Sequence, residues 1–323
     1  MRPSTAAPRS VLVLGATGFV GRWVARRLSA IGADLHLAVR DPARAHPVFA
    51  AYAIDGAVHP IDLRRPGEVR ELVERTRPDT VFNLAGYGVD RSERDESAAF
   101  AINRDLVAAV CEILLDVERS SRPALVHVGS ALEYGRAVGD LNETTVPRPD
   151  TLYGTSKLEG TRAVEAARTA GLDAVTARLF MVYGPGEHAQ RLVPTLIAAM
   201  DGTDRIPLTE GLQRRDFTFV DDVAEGLLRL ADAIDGCPAT LNLATGRLHR
   251  VRDFVEILAD EAGIDASRLG FGDLPGRVSE MQHEPVAVAR LRDALGGWTP
   301  GTAPRAGVRA TLAFHRSTDT LPS

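Results

Sequence analysis

Short apolar runs alternate with longer stretches whose apolar positions recur every three or four residues. Val11 to Leu14 is a run of strand formers, followed by a helical stretch with Val20, Val24 and Leu28 four apart. Residues 34–39, 57–61, 80–84, 124–129 and 173–179 read as further strands, and 67–76, 97–117 and 156–169 as helices between them. This rhythm predicts an α/β fold, a parallel sheet covered on both faces with ligands beyond the carboxyl ends of its strands. Gly86, Ser130 and Phe180 fall at or just past such ends, so one crevice collects them. Past Phe180 the pattern changes. Residues 183–186 form a turn, 192–200 a short amphipathic helix, 217–232 an extended start that becomes helical, 241–244 a strand and 251–261 a helix.

Composition narrows the class without changing this picture. The 323 residues are 45% hydrophobic and 25% charged, as in an ordinary globular protein. A formal net charge of −5 and the lack of a basic tract argue against a nucleic-acid partner. Cys111 and Cys237 stand far apart, outside any CxxC or Cys/His cluster, so neither a disulfide framework nor a metal site is expected. The apolar run near the start is broken by glycines and too short for a signal sequence or a membrane span. The expectation is a soluble cytoplasmic protein with no membrane partner.

Two local patterns carry chemistry. Gly15, Gly18 and Gly21 are spaced GxxGxxG between the first strand and the first helix. There Gly15 permits a tight turn, Gly18 lets a diphosphate approach the backbone, and Gly21 allows close helix–strand packing. The helix start then offers free N–H groups and partial positive charge to the phosphates. Tyr153 and Lys157, four apart at a helix start, project from one face. An ammonium about 4 Å from the phenol is worth about 4 kcal/mol at an effective dielectric of about 20, enough to make the phenol more acidic. Ser130 would hold a substrate oxygen beside it, completing a proton relay for hydride chemistry at a carbinol carbon.

GATGFVG at the start, Asp62-Leu63, NLAG at residues 83–86, Asn103, GSALEYG at 129–135 and YGTSK at 153–157 together resemble the extended short-chain dehydrogenase/reductases. So do RLFMVYGPG, RRDFTFVDDV and LNLATG, and the likeness is greatest to the nucleotide-sugar epimerase/dehydratase branch. The resemblance implies a Rossmann-type doubly wound sheet with a smaller, interleaved C-terminal substrate lobe. On this reading residues 10–180 form the dinucleotide-binding domain, with 216–245 returning to it. Residues 181–215 and 246–314 form the lobe, and 1–9 and 315–323 are disordered tails. It implies that Tyr153 is the proton donor or acceptor, that Lys157 lowers its pKa and binds the nicotinamide ribose, and that Ser130 orients the substrate. Cofactor contacts are implied for Gly15, Thr17, Gly18, Phe19, Val20, Gly21, Asp62, Leu63, Leu84, Ala85, Gly86, Asn103 and Phe180. The family often dimerises through two long helices, here 97–117 and 156–169, so a homodimer is expected.

Three departures sharpen the expectation. Where the 4,6-dehydratases of the branch carry an Asp-Glu pair, this chain has Ala131 and Leu132, which move no protons; Glu133, by strand alternation, faces elsewhere. The second strand ends in Arg40, suited to a 2′-phosphate, which favours NADP(H) over NAD(H); the competing reading leaves Arg40 solvated or paired with Asp41 and puts Asp41 on the ribose. Met181 replaces an Asn beside the diphosphate, leaving Gln190, Arg191, Arg215 and Arg277 to bind the substrate. The expected activity is an NADP(H)-dependent ketoreductase of a nucleoside-diphosphate 4-keto-6-deoxy sugar. A nucleotide-sugar 4-epimerase and a reductase of a non-sugar carbonyl are the competing readings. A regulator that senses the dinucleotide without chemistry would have no use for the Ser130/Tyr153/Lys157 set.

Overall fold

The apolar runs pair edge to edge because burying both faces leaves their backbone groups only each other to bond. The computed structural model describes residues 9–89, 93–137, 139–276 and 285–318. Strands β1 (Ser10–Leu14), β2 (Asp34–Val39), β3 (Ala57–Pro60), β4 (Thr80–Asn83), β5 (Ala124–Ser130) and β6 (Ala174–Leu179) join Thr240–Leu243 in one sheet. Its order is β3, β2, β1, β4, β5, β6 and then Thr240–Leu243, and every pairing is parallel. This is a Rossmann-like α/β fold. Sequence order reverses at β1, between β2 and β4, which opens a crevice beyond the carboxyl ends there.

One sheet face buries Val13, Phe82, Val126 and Val175 against helix α1 (Phe19–Ala30) and helix Val220–Asp232. The other buries Leu12, Val81 and Leu125 against helices Pro66–Thr76, Leu106–Asp116 and Leu152–Thr169. Arg27 on α1 ties down helix Val220–Asp232 through Asp221 at 2.7 Å and Glu225 at 2.6 Å.

Several elements depart from the sequence reading. The predicted long helix is broken by a π-helical stretch, Ala101–Asp105, between Glu96–Phe100 and Leu106–Asp116. Helix Leu152–Thr169 starts four residues earlier than predicted, because Thr151 caps it by accepting the Gly154 N–H at 3.0 Å. Helix Pro42–Ala51 was not foreseen; Asp41 caps it and proline stands in its first turn, where the missing N–H costs nothing. Helix Pro304–Thr318 carries His315, which the sequence reading placed in a polar tail. Residues 1–8 and 319–323 of the expected tails lie outside the described residues. Among the described residues no helix is long and apolar enough to cross a membrane.

Past β6 the chain builds small pairings: Met181–Tyr183 with Phe217–Phe219, Arg214–Arg215 with His249–Arg250, and Ile206–Leu208 with Leu269–Phe271. Phe217–Phe219 is the extended start expected before helix Val220–Asp232, whereas the other runs are too short to carry a periodicity and the sequence pattern did not reveal them.

Candidate active site

The chain leaves β1 through Gly15, whose φ of 82° lies in the left-handed region. A Cβ there would stand 2.7 Å from the Ala85 nitrogen, so the turn rests on the exit of β4. Gly18 is exposed and opens α1 with no side-chain cap, and the first turn of α1 carries no acidic residue. The positive end of the helix is therefore left for an anion. A Cβ on Gly21 would lie 2.1 Å from the Gly15 carbonyl oxygen, so this glycine admits the turn itself rather than the strand. Arg22 holds the outside of the turn, donating to the Thr17 oxygen at 2.9 Å and the Gly18 oxygen at 3.2 Å. Thr17, Phe19 and Val20 are half-buried around it. This cradle fits a dinucleotide diphosphate.

Arg40 is exposed just past β2. Asp41 is engaged as a helix cap, accepting the Ala43 and Arg44 N–H groups at 3.0 and 3.4 Å. Beyond β3, Arg64 grips the Asp62 carboxylate at 2.7 Å and holds its pKa down at about 2, with Leu63 half-buried alongside. These groups lie on the far side of β1 from β5, whereas Leu84, Ala85 and Gly86 leave β4 beside it.

At Ser130 the β5 chain stops being a strand. Ala131–Glu133 form one 3-10 turn, with Ser130 Oγ accepting the Leu132 N–H at 3.2 Å. Strand alternation does not apply to a turn, and Glu133 swings beneath the site, fully buried. Its Oε1 accepts the Ser130 N–H at 2.7 Å, and its Oε2 accepts from Thr161 Oγ1 at 3.0 Å and Arg178 Nε at 2.8 Å. Gly129 makes the space, since a Cβ there would stand 2.5 Å from that Oε1. The Ser-x-x-Glu spacing of this capping box is the local signal in the sequence that marks Glu133.

Helix Leu152–Thr169 places Tyr153 in its first turn and Lys157 one turn on. The half-buried Tyr153 shares a side-chain hydrogen bond with Ser130. Its ring rests on Gly88, where a Cβ would meet Cδ2 at 3.1 Å. Lys157 is 2% exposed. It is the only lysine in the chain, every other member of the Lys-plus-Arg count being arginine. The ammonium was expected to make the phenol acidic, but the structure reverses the direction. Burial and then Glu133 push Tyr153 up to about 12, against the Ser130 hydrogen bond and the Arg191 charge. Burial pulls Lys157 down to about 8 while Glu133 holds it up. Desolvation outweighs the surrounding charges at this depth, so the phenol keeps its proton at neutral pH.

Asn103 braces the site from the π-helical stretch. Its Oδ1 accepts the Tyr87 N–H at 3.0 Å, and its Nδ2 donates to the Tyr87 oxygen at 2.8 Å and to Ser156 Oγ at 2.9 Å. The amide thus links the loop after β4 to the Tyr153 helix. Phe180 leans on Tyr134, ring centroids 6.5 Å apart. Across the site, Arg191 Nη2 lies 3.3 Å from the Met181 sulfur, and Arg191 Nε is 3.3 Å from Glu187 Oε1. Gln190 is exposed, and Arg215 is buried on its short strand with Nη1 donating to the Arg214 oxygen at 2.6 Å. Arg277 lies outside the described residues.

The sequence model of the NAD dependent epimerase/dehydratase family matches residues 11–244, from β1 through the last strand of the sheet. The chain belongs to this family. A relative from Kitasatospora kifunensis, dTDP-6-deoxy-L-talose 4-dehydrogenase (NAD(P)(+)), is 35% identical over 94% of each chain. GDP-6-deoxy-D-mannose reductase from Pseudomonas aeruginosa is 27% identical over 95% of this chain and 97% of its own. Among solved structures, MoeE5 in complex with UDP-glucose and NAD aligns over 96% of this chain and all of its own, with 26% identity and a TM-score of 0.82. The protein is an NAD(P)-dependent oxidoreductase of the extended short-chain dehydrogenase/reductase type.

Proposed function

We propose that the protein is an NADP(H)-dependent ketoreductase of a nucleoside-diphosphate 4-keto-6-deoxy sugar. One observation carries this reading: the Tyr153 phenol stands beside Ser130 at the end of β5 and one helical turn before the buried Lys157. Such a set can pass a proton to a ketone oxygen as hydride reaches the carbonyl carbon. Ala131 and Leu132 offer no acid–base pair for elimination. The relative named as a 6-deoxy-talose 4-dehydrogenase supports the substrate class.

Ser130 Oγ and the Tyr153 hydroxyl would both bond the ketone oxygen, and Tyr153 would release its proton to that oxygen as negative charge develops. Lys157, kept charged by Glu133, would hold the nicotinamide ribose and stabilise the phenolate left behind. The Gly15–Gly21 cradle would hold the diphosphate, with Asp62 and Leu63 near the adenine and Leu84–Gly86, Asn103 and Phe180 near the nicotinamide. NADPH, when bound, supplies the hydride. The preference for the 2′-phosphate rests on Arg40, exposed past β2 beside an Asp41 already engaged as a cap. Arg191, Arg215 and Gln190 would hold the substrate diphosphate.

The test is to offer purified protein several 4-keto-6-deoxy nucleotide sugars and follow NADPH and NADH absorbance separately. The reductase reading expects NADPH oxidation that Tyr153→Phe slows by about 10²–10⁴-fold while NADPH binding persists. Interconversion of hexose isomers without net NADPH loss would replace it with the 4-epimerase.

A further inference from the structure

Ser130, Tyr153 and Lys157 account for the chemistry but leave the buried charge of Glu133 without a task. Glu133 touches neither solvent nor the crevice, yet it holds three donors from three elements: Ser130 N–H on β5, Thr161 on the Tyr153 helix and Arg178 on β6. Gly129 gives up a side chain to admit it. Beyond Arg178 the network runs on. That guanidinium lies 4.7 Å above the Tyr134 ring, and the Tyr134 hydroxyl donates to Asn242 at 2.7 Å. Asn242 in turn donates to the Leu141 and Ala287 oxygens at 3.0 and 3.2 Å. A carboxylate clamped in this way cannot turn away from the site.

We propose that Glu133 is a positioning residue of the active site: a fixed buried anion that clamps the end of β5 at Ser130 and the Tyr153 helix at Thr161, and acts on Tyr153 and Lys157 through its charge. The inference rests on the ketoreductase reading only in taking those two groups as the proton carriers. The charges around them come from every side. Tyr153 meets Glu133 from the 3-10 turn, Glu93 from the loop after β4 and Arg191 from the segment before helix Leu192–Ala198. Lys157 meets Glu133 and, from β5, His127, which burial and Lys157 keep neutral. Glu133 is the anion common to both, and it favours the proton on each. An isosteric amide at position 133 would keep the Ser130 bond and lose the field.

Because Lys157 is the only lysine, protein labelled with carbon-13 at the lysine ε carbon gives one NMR signal from residue 157. Its titration, and the phenolate absorbance of Tyr153 with Tyr153→Phe as blank, are read on cofactor-free protein. We expect Glu133→Gln to move both midpoints to lower pH by about one unit or more. Glu133→Asp, which shortens the side chain but keeps the charge, should leave them close to those of the parent. A purely structural role predicts the opposite ranking, with Gln benign and Asp disruptive. Should Glu133→Gln not fold beside an unpaired Arg178, Glu133→Gln/Arg178→Met removes both charges of the pair and should show a smaller movement in the same downward direction. Midpoints that stay in place in the folded Gln variant overturn the proposal. Failure to turn over 4-keto sugars would overturn only the assigned activity, since neither titration requires substrate.

Discussion

At the scale of single residues, two buried carboxylates meet different fates. Glu133 has three donors, one of them a guanidinium. Glu187 has Arg191 at 3.3 Å on one oxygen and no hydrogen-bond partner among the described residues on the other, and burial pushes it up to about 7. The folded chain therefore keeps a proton there that the unfolded chain releases near the ordinary value of 4.5, so stability falls as pH rises from about 4.5 to about 7 and is level above that. Glu187→Gln should gain on the parent protein as pH climbs through this window, in denaturant melts taken at about pH 5 and about pH 8. A gap that is the same at both values would show that Glu187 does not titrate there. Ser130, Tyr153 and Lys157 were legible because their motifs are local. The partners of Glu133 were not, since Thr161 and Arg178 stand 28 and 45 positions away. The direction of the Tyr153 shift was missed for a related reason: a one-dimensional pattern gives the ammonium's spacing but not the depth of burial.

Among the elements, the strands were read to within a residue or so because parallel strands buried on both faces are simply apolar runs. The π-helical stretch at Ala101–Asp105 escaped, since the apolar pattern resumes after it. Its purpose is visible in the packing: a Cβ on Gly160 would stand 2.2 Å from the Asn103 oxygen, so the helix of Tyr153 presses directly on that backbone. Gly160→Ala should destabilise the protein by about 1–3 kcal/mol through overpacking. It should also reduce turnover by displacing Asn103 from Tyr87 and Ser156. A thermal melt and a rate measured on the same sample check both effects, and an unchanged melting temperature would mean the two backbones have slack.

For the molecule as a whole, the strand order puts the Gly15 turn at the reversal point, with Arg40 and Asp62 to one side and Ser130 to the other. A dinucleotide lying across β1 would join the two sides. NADPH at about 100 times its Kd should add about 2.7 kcal/mol of stability. Arg40→Ala should shrink the NADPH-induced rise in melting temperature and leave that from NADH unchanged; equal loss for both cofactors would remove Arg40 from the 2′-phosphate. The parallel sheet was legible at this scale, but contacts such as Arg215 with His249 were not, because nothing local announces a two-residue pairing.

A chain whose cationic side chains are all guanidinium, save one, has an unusual alkaline behaviour. Guanidinium keeps its charge far into base, and the thiols of Cys111 and Cys237 are both pushed upward by burial. In most proteins an activity lost in mild alkali could be blamed on dozens of discharging surface amines. Here the suspects reduce to a very short roll, and the helix of Tyr153 carries the one side-chain amine on it.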